Sequence, residues 1–307
     1  MPLVFLLYAL FASVFILGKW TLSYTSPLFL VGSRMAVAGV LILAFLALRK
    51  ASLFPFKKRQ IPQLILLGIT SIYLVNVLEF WGLQYLTSFK TCFIYSISPF
   101  VSAILSYFIF SESLSKMKWL GLSLGFAGFI PILLESTPVE ETVGQLWIFS
   151  WPELAVTAAA ILSCWGWILM RGLVKESSPV AVNGWSMLIG GLVALFHSYN
   201  VEAWDPFPVL EWAPFLEGAT ALLLVSNLFA YNLYGYLLKK YTATFISFAG
   251  FTTPLFTALF GYFFLDEWIT WPFALSYSIV YIGLRLFYRE EVRQEEKEEK
   301  VVKTIST

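Results

Sequence analysis

Long apolar stretches, separated by short polar connectors, make up most of the chain. An α-helix rises about 1.5 Å per residue, so roughly 20 predominantly apolar residues suffice to cross a bilayer. Ten stretches approach that length. A longer break at 136–150 contains proline, glycine and two glutamates, which is typical of a linker. The pattern predicts ten helices at approximately 3–20, 27–48, 62–84, 88–110, 116–135, 151–171, 179–199, 213–237, 242–264 and 270–288.

The basic residues predict the side of the membrane on which each connector lies, because lysine and arginine favour cytoplasmic connectors. With the N-terminus inside, 17 of the 20 basic residues fall in cytoplasmic connectors or in the C-terminal tail. Lys19 and Lys90 fall near the opposite face, and Arg34 falls within a helix. An odd number of helices would scramble this asymmetry. We therefore predict an all-α integral membrane protein with ten transmembrane helices and both termini in the cytoplasm.

The composition supports a membrane protein, since 59% of the residues are hydrophobic and 13% are charged. Soluble domains carry about 25% charged residues, so a water-soluble globule is excluded. A net charge of +1 gives no reason to expect a nucleic-acid partner. Two cysteines and one histidine suit neither a disulfide framework nor a zinc site, and we expect no metal or cofactor. The first helix has no basic segment before it, so we expect it to be retained.

An internal repeat is visible when the chain is compared with itself at an offset of 155 residues. Residues 98–114 then lie over 253–269, and a second match at an offset of 152 pairs 19–39 with 171–191. Each half contains five predicted helices, an odd number, so the second copy is inverted in the membrane. Inverted repeats are typical of secondary transporters that bind substrate near the midplane between the halves. The first match pairs Pro99 with Pro254, Ala103 with Ala258, Tyr107 with Tyr262, Phe108 with Phe263 and Glu112 with Glu267.

These features resemble the EamA-type members of the drug/metabolite transporter superfamily, over residues 3 to 288. The resemblance implies a ten-helix transporter with repeats at 1–135 and 151–288, a linker at 136–150 and a charged cytoplasmic tail at 289–307. It also implies export of amino acids or other metabolites, or exchange of nucleotide-like compounds. The sequence is similar, further, to the S-adenosylmethionine/S-adenosylhomocysteine transporters of chlamydia-type intracellular bacteria. That similarity implies uptake of the first compound in exchange for the second.

Two opposite charges within predicted helices are the main candidates for substrate binding. Arg34 lies about seven residues inside the second helix, and Glu79 lies about five residues from the same membrane face in the third. A charge at the centre of a span costs about 2.5–3.5 kcal/mol on insertion scales, so each needs a partner or a watered cavity. A structural ion pair is one interpretation. The other is a cavity in which Arg34 holds a substrate carboxylate.

Further polar and aromatic residues complete the predicted substrate set. Asn76 precedes Glu79 by three residues and shares its helix face. Asn227 and Tyr231 form a comparable cluster in the eighth helix, where hydrogen bonding between helices is the alternative role. Trp81 could stack on a planar or cationic ligand, although core packing explains it equally. Lys90 completes the predicted substrate set. Its alternative role is to extend its ammonium group to the membrane interface.

Four residues that the repeat relates are predicted to act in gating or bracing. Pro99 and Pro254 each free a backbone carbonyl in mid-helix and permit bending, which suits a gating helix or a static kink. Glu112 and Glu267 follow these prolines at equal spacing and lie at membrane ends. We expect them to make hydrogen bonds at helix ends rather than to contact substrate.

The sequence thus favours an alternating-access transporter for a small zwitterionic metabolite in the cell inner membrane. A proton-coupled exporter of amino acids or drug-like metabolites is the alternative. A membrane-embedded enzyme is disfavoured, because hydrolases usually need a well-placed base or a metal-ligand set. The partners expected are a small-molecule substrate and the lipid bilayer, with no nucleic acid. Whether the protein is a monomer or a homodimer is left open.

Overall fold

A computed structural model describes residues 2–49, 56–110, 115–135, 137–174, 176–230, 233, 237 and 249–305, and these are mostly helical. In the first half the helices are α1 (Pro2–Leu22), α2 (Pro27–Leu48), a 3-10 turn (Lys58–Gln60), α3 (Ile61–Leu67), a π-helix (Gly68–Leu74), α4 (Val75–Tyr85), α5 (Ser88–Tyr95), α6 (Ser98–Phe110), α7 (Lys116–Gly128) and α8 (Ile130–Leu133). We call the π-helix at Gly68–Leu74 the first π segment.

The second half begins after a small structured linker and is again helical. The linker and second half contain α9 (Pro138–Glu141), a hairpin of β1 (Gln145–Leu146) and β2 (Phe149–Ser150), α10 (Trp151–Val174), α11 (Pro179–Val201), α12 (Trp212–Leu222), a second π segment (Leu223–Ala230), a 3-10 turn (Gly250–Thr252), α13 (Thr253–Phe264) and α14 (Trp271–Ile305). In the hairpin, Gln145 pairs with Ser150 and Leu146 with Phe149. The last helix continues from the tenth predicted span into the charged tail.

Five continuous helices in the described part of the chain are long and apolar enough to cross a membrane. Several of the other predicted spans are divided between shorter elements. A hydropathy pattern does not resolve such breaks, because it reports how apolar a segment is and not how its main chain is hydrogen bonded. The five continuous helices are Pro2–Leu22, Pro27–Leu48, Lys58–Tyr85, Trp151–Val174 and Pro179–Val201.

The two largest apolar clusters among the described residues each combine helices from both halves of the chain. The first gathers residues of α2, α4, α11 and α12, with Leu22 of α1. The second gathers residues of α5 to α8 with α13 and α14. In the second cluster, glycines of α7 face α14, because a Cβ on Gly121 would lie 2.7 Å from the Gly283 carbonyl oxygen. This stripe of small residues is therefore used within the chain.

Glycines also allow α2 and α11 to approach each other closely. A Cβ on Gly39 would lie 2.6 Å from the backbone nitrogen of Leu188, and one on Gly32 would lie 2.7 Å from that of Leu195. Lipid chains are as apolar as the helices, so helix association in membranes depends on such close van der Waals packing. This crossing packs α2, the helix that carries Arg34, directly against α11 of the second half.

Replacing Gly39 by alanine is expected to destabilise the protein by about 1–3 kcal/mol, the range for overpacking a tight interior contact. The methyl group meets backbone, which cannot rotate away as a side chain can. Thermal unfolding of the purified protein in detergent measures the effect. Gly172→Ala is the matched control, because no heavy atom lies within 4 Å of its added Cβ. Equal melting temperatures for the two variants would contradict the tight crossing.

Candidate functional site

Arg34 lies two turns into α2 and is only 3% exposed. Its Nη2 donates to Oδ1 of Asn76 at 3.1 Å. Its guanidinium carbon lies 4.9 Å from the ring centroid of Phe80. Because Asn76 and Phe80 are four residues apart on α4, one helix face holds the guanidinium through a hydrogen bond and a cation–π contact. Such contacts reduce the cost of placing the charge at this depth.

Glu79 lies on α4 next to the residues that hold Arg34, and it is half-buried. The hydroxyl of Tyr95 donates to Oε2 of Glu79 at 2.8 Å. Tyr95 ends α5 and packs edge-to-face against Phe15 of α1, with ring centroids 6.0 Å apart. The positive charge of Arg34 also acts on the Glu79 carboxylate. The carboxylate is therefore held by a neutral donor and lies within electrostatic range of a cation.

The bond between Glu79 and Tyr95 joins helices that belong to different apolar clusters. Phe80, beside Glu79, is part of the first cluster, and Phe93, two residues before Tyr95, is part of the second. An arginine can bind a carboxylate through two parallel hydrogen bonds, and a carboxylate can accept bonds from an ammonium group. The arrangement thus offers complementary groups for a zwitterion, at the boundary between two packed units.

Asn227, the candidate from the second half, lies in the second π segment and is buried. Its Nδ2 lies 3.6 Å from Sδ of Met187 and 4.0 Å from Sδ of Met35. Within the described residues, its Oδ1 has no hydrogen-bond partner. Met35 belongs to α2, so Asn227 approaches the helix that carries Arg34. Tyr231 lies outside the described residues.

Trp81 packs edge-to-face against Tyr85, one turn further along α4, with ring centroids 5.4 Å apart. It is neither fully buried nor fully exposed. This contact is aromatic packing along the helix surface. The role of Trp81 toward a ligand stays a prediction.

Lys90 was predicted to bind substrate, with extension to the membrane interface as the alternative, and the structure instead buries it among acidic partners. The side chain is 4% exposed, and its Nζ lies 3.0 Å from Glu140 and 2.7 Å from Glu153. It also donates to the backbone carbonyl of Glu135 at 2.6 Å. A lysine ammonium has three N–H donors, and three acceptors surround this one. Lys90 therefore ties α5 to the linker and to α10, and it has no donor left for a substrate.

Glu267 accepts hydrogen bonds at the start of α5. Both carboxylate oxygens lie 2.9 Å from the backbone nitrogen of Ser88. Lys19 pairs with the same carboxylate at 3.2 Å and also donates to the Leu86 carbonyl. A carboxylate at a helix N-terminus satisfies free backbone donors and is favoured by the helix dipole. Its predicted counterpart Glu112 lies outside the described residues.

Pro99 and Pro254 were placed wrongly in mid-helix. Each lies in the first turn of a new helix, at the second position of α6 and of α13. Proline is well tolerated there, because the first turn has no intrahelical use for its missing N–H. The backbone carbonyl four residues before each proline accepts a hydrogen bond from the hydroxyl of the residue that directly precedes the proline. Ser98 donates to Tyr95 at 2.7 Å, and Thr253 donates to Gly250 at 2.6 Å.

Several residues of this site were not identified from the sequence. Phe80 is one turn from Asn76, so helical periodicity could have identified it. Tyr73, three residues before Asn76, hydrogen bonds Nδ1 of His197 on α11 at 2.8 Å, and no sequence signal relates those two. Tyr95 could not be identified, because its position depends on the break between α5 and α6. The π segments likewise have no recognised sequence signature.

Comparison with known proteins identifies relatives along almost the whole chain. The EamA-like transporter family model matches residues 1–134 and 150–289. The S-adenosylmethionine/S-adenosylhomocysteine transporter of Chlamydia muridarum (strain MoPn / Nigg) is 38% identical over 297 residues, covering 95% of this chain and 92% of the relative. The transporter of the same name from Chlamydia trachomatis serovar L2 is 39% identical, covering 95% of this chain and 90% of the relative.

More distant proteins share the architecture. The chloroplastic WAT1-related protein At3g02690 of Arabidopsis thaliana is 30% identical over 262 residues, covering 81% of this chain and 60% of the relative. One solved crystal structure matches with a TM-score of 0.62 at 15% identity, covering 93% of this chain and 96% of the other, which shows a common fold. The apolar helices and these relatives make the chain a multi-pass membrane protein, and the cytoplasmic membrane fits its bacterial relatives. The chain belongs to the EamA-like transporter family.

Proposed function

We propose that this protein is a secondary transporter that takes up S-adenosylmethionine in exchange for S-adenosylhomocysteine. The observation that carries the proposal is 38–39% identity, over 95% of this chain, to two chlamydial transporters of that name. Both compounds carry an α-amino carboxylate. They differ in a methyl group and in the positive charge of the sulfonium. The opposite charges of Arg34 and Glu79 fit the α-amino carboxylate that the two compounds share.

We propose ten spans arranged as two inverted repeats at 1–135 and 151–288, with both termini inside. The linker is 136–150 and the cytoplasmic tail is 289–307. Two family matches of similar length support this division. Local structure supports the repeat as well, because Ser98 and Thr253 donate to the carbonyls four residues before the equivalent prolines. The two π segments also begin at residues 68 and 223, at the 155-residue offset.

Contacts between connectors support the proposed topology, because connectors on opposite faces of a membrane cannot touch. Arg59 and Lys57 pair with Glu176, and all three lie in connectors predicted to be cytoplasmic. The hydrogen bond from Arg59 lowers the pKa of the Glu176 carboxyl. On the predicted outer face, Glu202 accepts from the backbone nitrogen of Leu28 at 2.8 Å.

In the proposed binding mode, Arg34 holds the substrate carboxylate and Glu79 accepts from the substrate ammonium group. Charge-assisted hydrogen bonds of both signs select a zwitterion over a simple anion or cation. The bond between Glu79 and Tyr95 places the substrate between the two apolar clusters. Relative motion of those clusters would expose the site alternately to each side, which is the mechanism expected of inverted-repeat transporters. Asn227 is the proposed contribution from the second half.

Liposomes containing the purified protein provide the test. Labelled S-adenosylmethionine is supplied outside, and vesicles are either empty or loaded with S-adenosylhomocysteine. We expect saturable uptake that is several-fold faster into loaded vesicles, because exchange requires a substrate on each side. Liposomes without protein give the background, and limited proteolysis of the tail reports protein orientation.

Absence of uptake into loaded vesicles with verified insertion would exclude this exchange. The alternative is proton-coupled export of an amino acid or a drug-like metabolite. Its test is accumulation of labelled zwitterions under an imposed proton gradient with no compound loaded inside. Acceleration by the proton gradient, and none by S-adenosylhomocysteine, would favour the alternative.

A further inference from the structure

We infer that Asn76 is a positioning residue, which orients Arg34 and is itself fixed by the first π segment. The inference rests on the proposed function only for the role of Arg34 in substrate binding. It replaces the earlier expectation that Asn76 contacts substrate. Three features of the structure carry it: the hydrogen bonds of the carboxamide, the end of the π segment, and the packing of that segment against α10 and α11.

The carboxamide of Asn76 is engaged at both ends. Nδ2 donates to the Ile72 carbonyl at 2.9 Å and lies 3.4 Å from the Ser71 carbonyl oxygen. Oδ1 accepts from Arg34 at 3.1 Å. A guanidinium only donates and a carbonyl only accepts, so chemistry requires this orientation of the amide. Asn76 thus links the backbone of its own helix to the arginine of α2.

The π segment explains why carbonyls are available to Asn76. At its end the backbone N–H of Val75 still bonds to Thr70, five residues earlier. In the α-helix that follows, each N–H bonds to the carbonyl four residues earlier. Where the π-helical pattern changes to the α-helical one, one carbonyl is left without a backbone N–H partner. The side chain of Asn76 lies at this transition and serves the Ser71 and Ile72 carbonyls. Single π turns of this kind are frequent at functional sites.

Helices of the second half pack tightly on the π segment. A Cβ on Gly190 of α11 would lie 2.6 Å from the Gly68 carbonyl oxygen, and one on Gly166 of α10 would lie 2.8 Å from Cβ of Ser71. Only glycine allows so close an approach at these positions. The location of the π segment, and with it the position of Asn76, therefore depends on contacts with both α10 and α11.

Phe80 completes the hold on Arg34 from the same face of α4. The guanidinium is stacked on the Phe80 ring and bonded to Asn76, so its orientation is set before a ligand arrives. A group that is ordered in advance loses less conformational freedom on binding. Loss of Asn76 should therefore weaken binding of a carboxylate-bearing ligand even though Asn76 does not touch it.

The test measures the orientation of Arg34 without any substrate. The purified protein is treated with phenylglyoxal, which modifies arginines, and the rate at Arg34 is measured by peptide mass spectrometry with Arg49 as the internal reference. We expect Asn76→Leu to increase the Arg34 rate about five- to tenfold, because the guanidinium loses the hydrogen bond that Asn76 accepts. Asn76→Asp retains an acceptor, so its rate should stay within about twofold of wild type.

Asn200→Leu is the matched control, since Asn200 also donates to a carbonyl four residues earlier in its own helix, at 2.6 Å. It should leave the Arg34 rate unchanged. Each variant is compared only if it remains monodisperse with an unchanged melting temperature. An Arg34 rate in Asn76→Leu equal to wild type would overturn the inference, whatever the transport result. Conversely, failure of vesicles with wild-type protein to exchange would overturn the proposed substrate. The phenylglyoxal rate at Arg34 would still decide whether Asn76 positions the arginine.

A binding measurement adds a second, independent result. Asn76→Leu is expected to weaken S-adenosylmethionine binding about tenfold, while Asn76→Asp should weaken it as well because the new carboxylate neutralises Arg34. Positioning therefore predicts that the two variants agree in affinity and differ in phenylglyoxal reactivity. Direct substrate contact by Asn76 predicts weaker binding in Asn76→Leu with no change in Arg34 reactivity.

Discussion

Arg34→Ala is expected to abolish exchange of S-adenosylmethionine for S-adenosylhomocysteine while the protein still inserts. In the proposed site Arg34 pairs with the substrate carboxylate, and removing one partner of such a buried, hydrogen-bonded charge pair costs about 2–5 kcal/mol. Because 1.4 kcal/mol is a tenfold change in affinity, the expected loss is about 30-fold or more. The measurement is initial uptake into preloaded liposomes over a range of substrate concentrations. Glu79→Ala should give a loss of similar size, since it removes the opposite charge.

Two controls separate this effect from damage to the fold. Arg49→Ala removes an exposed arginine at the end of the same helix, whose guanidinium lies over the Phe45 ring, and it should transport normally. Glu79→Gln keeps an acceptor for the Tyr95 hydroxyl but removes the charge, so it should insert well and still lose transport. Normal exchange by both Arg34→Ala and Glu79→Ala would remove these residues from the proposed site.

Lys90→Met is expected to lower the free energy of unfolding by about 3–5 kcal/mol, the loss found when one partner of a buried ion pair is removed. The methionine fills a similar volume, but it leaves the buried carboxylates of Glu140 and Glu153 without a counter-charge. These carboxylates are each about 1% exposed, so water cannot replace the ammonium. Thermal unfolding in detergent, or chemical denaturation in the same detergent, measures the change.

Lys19→Met provides the comparison, because its ion pair with Glu267 is 27% exposed on the lysine side. Partly exposed pairs contribute only about 0–1 kcal/mol, so a much smaller loss is expected. The triple variant with Lys90→Met, Glu140→Gln and Glu153→Gln should regain part of the lost stability, since no unpaired charge stays buried. A melting temperature of Lys90→Met equal to that of Lys19→Met would refute the buried cluster.

By itself, the sequence determined that this is a helical membrane protein related to EamA-type transporters. The physical reason is that a bilayer imposes long apolar stretches and a bias of basic residues, and both are read directly along the chain. It also placed Asn76 and Glu79 on one helix face with an arginine at similar depth, because helical periodicity is a local property. In the structure Arg34 donates to Asn76, and Glu79 accepts from Tyr95.

Only the tertiary structure decided how the remaining polar residues are used. The partners of Lys90 lie 45 to 63 residues away along the chain, just before the linker, within it and at the start of α10, and no periodic signal relates them. The helix breaks at the two prolines depend on side-chain hydroxyls that donate to backbone carbonyls. The position of the first π segment depends on glycines that allow a neighbouring helix to pack closely against it. Those are properties of contacts between distant segments. A pattern along one chain describes each helix alone, and a binding site is formed where several of them meet.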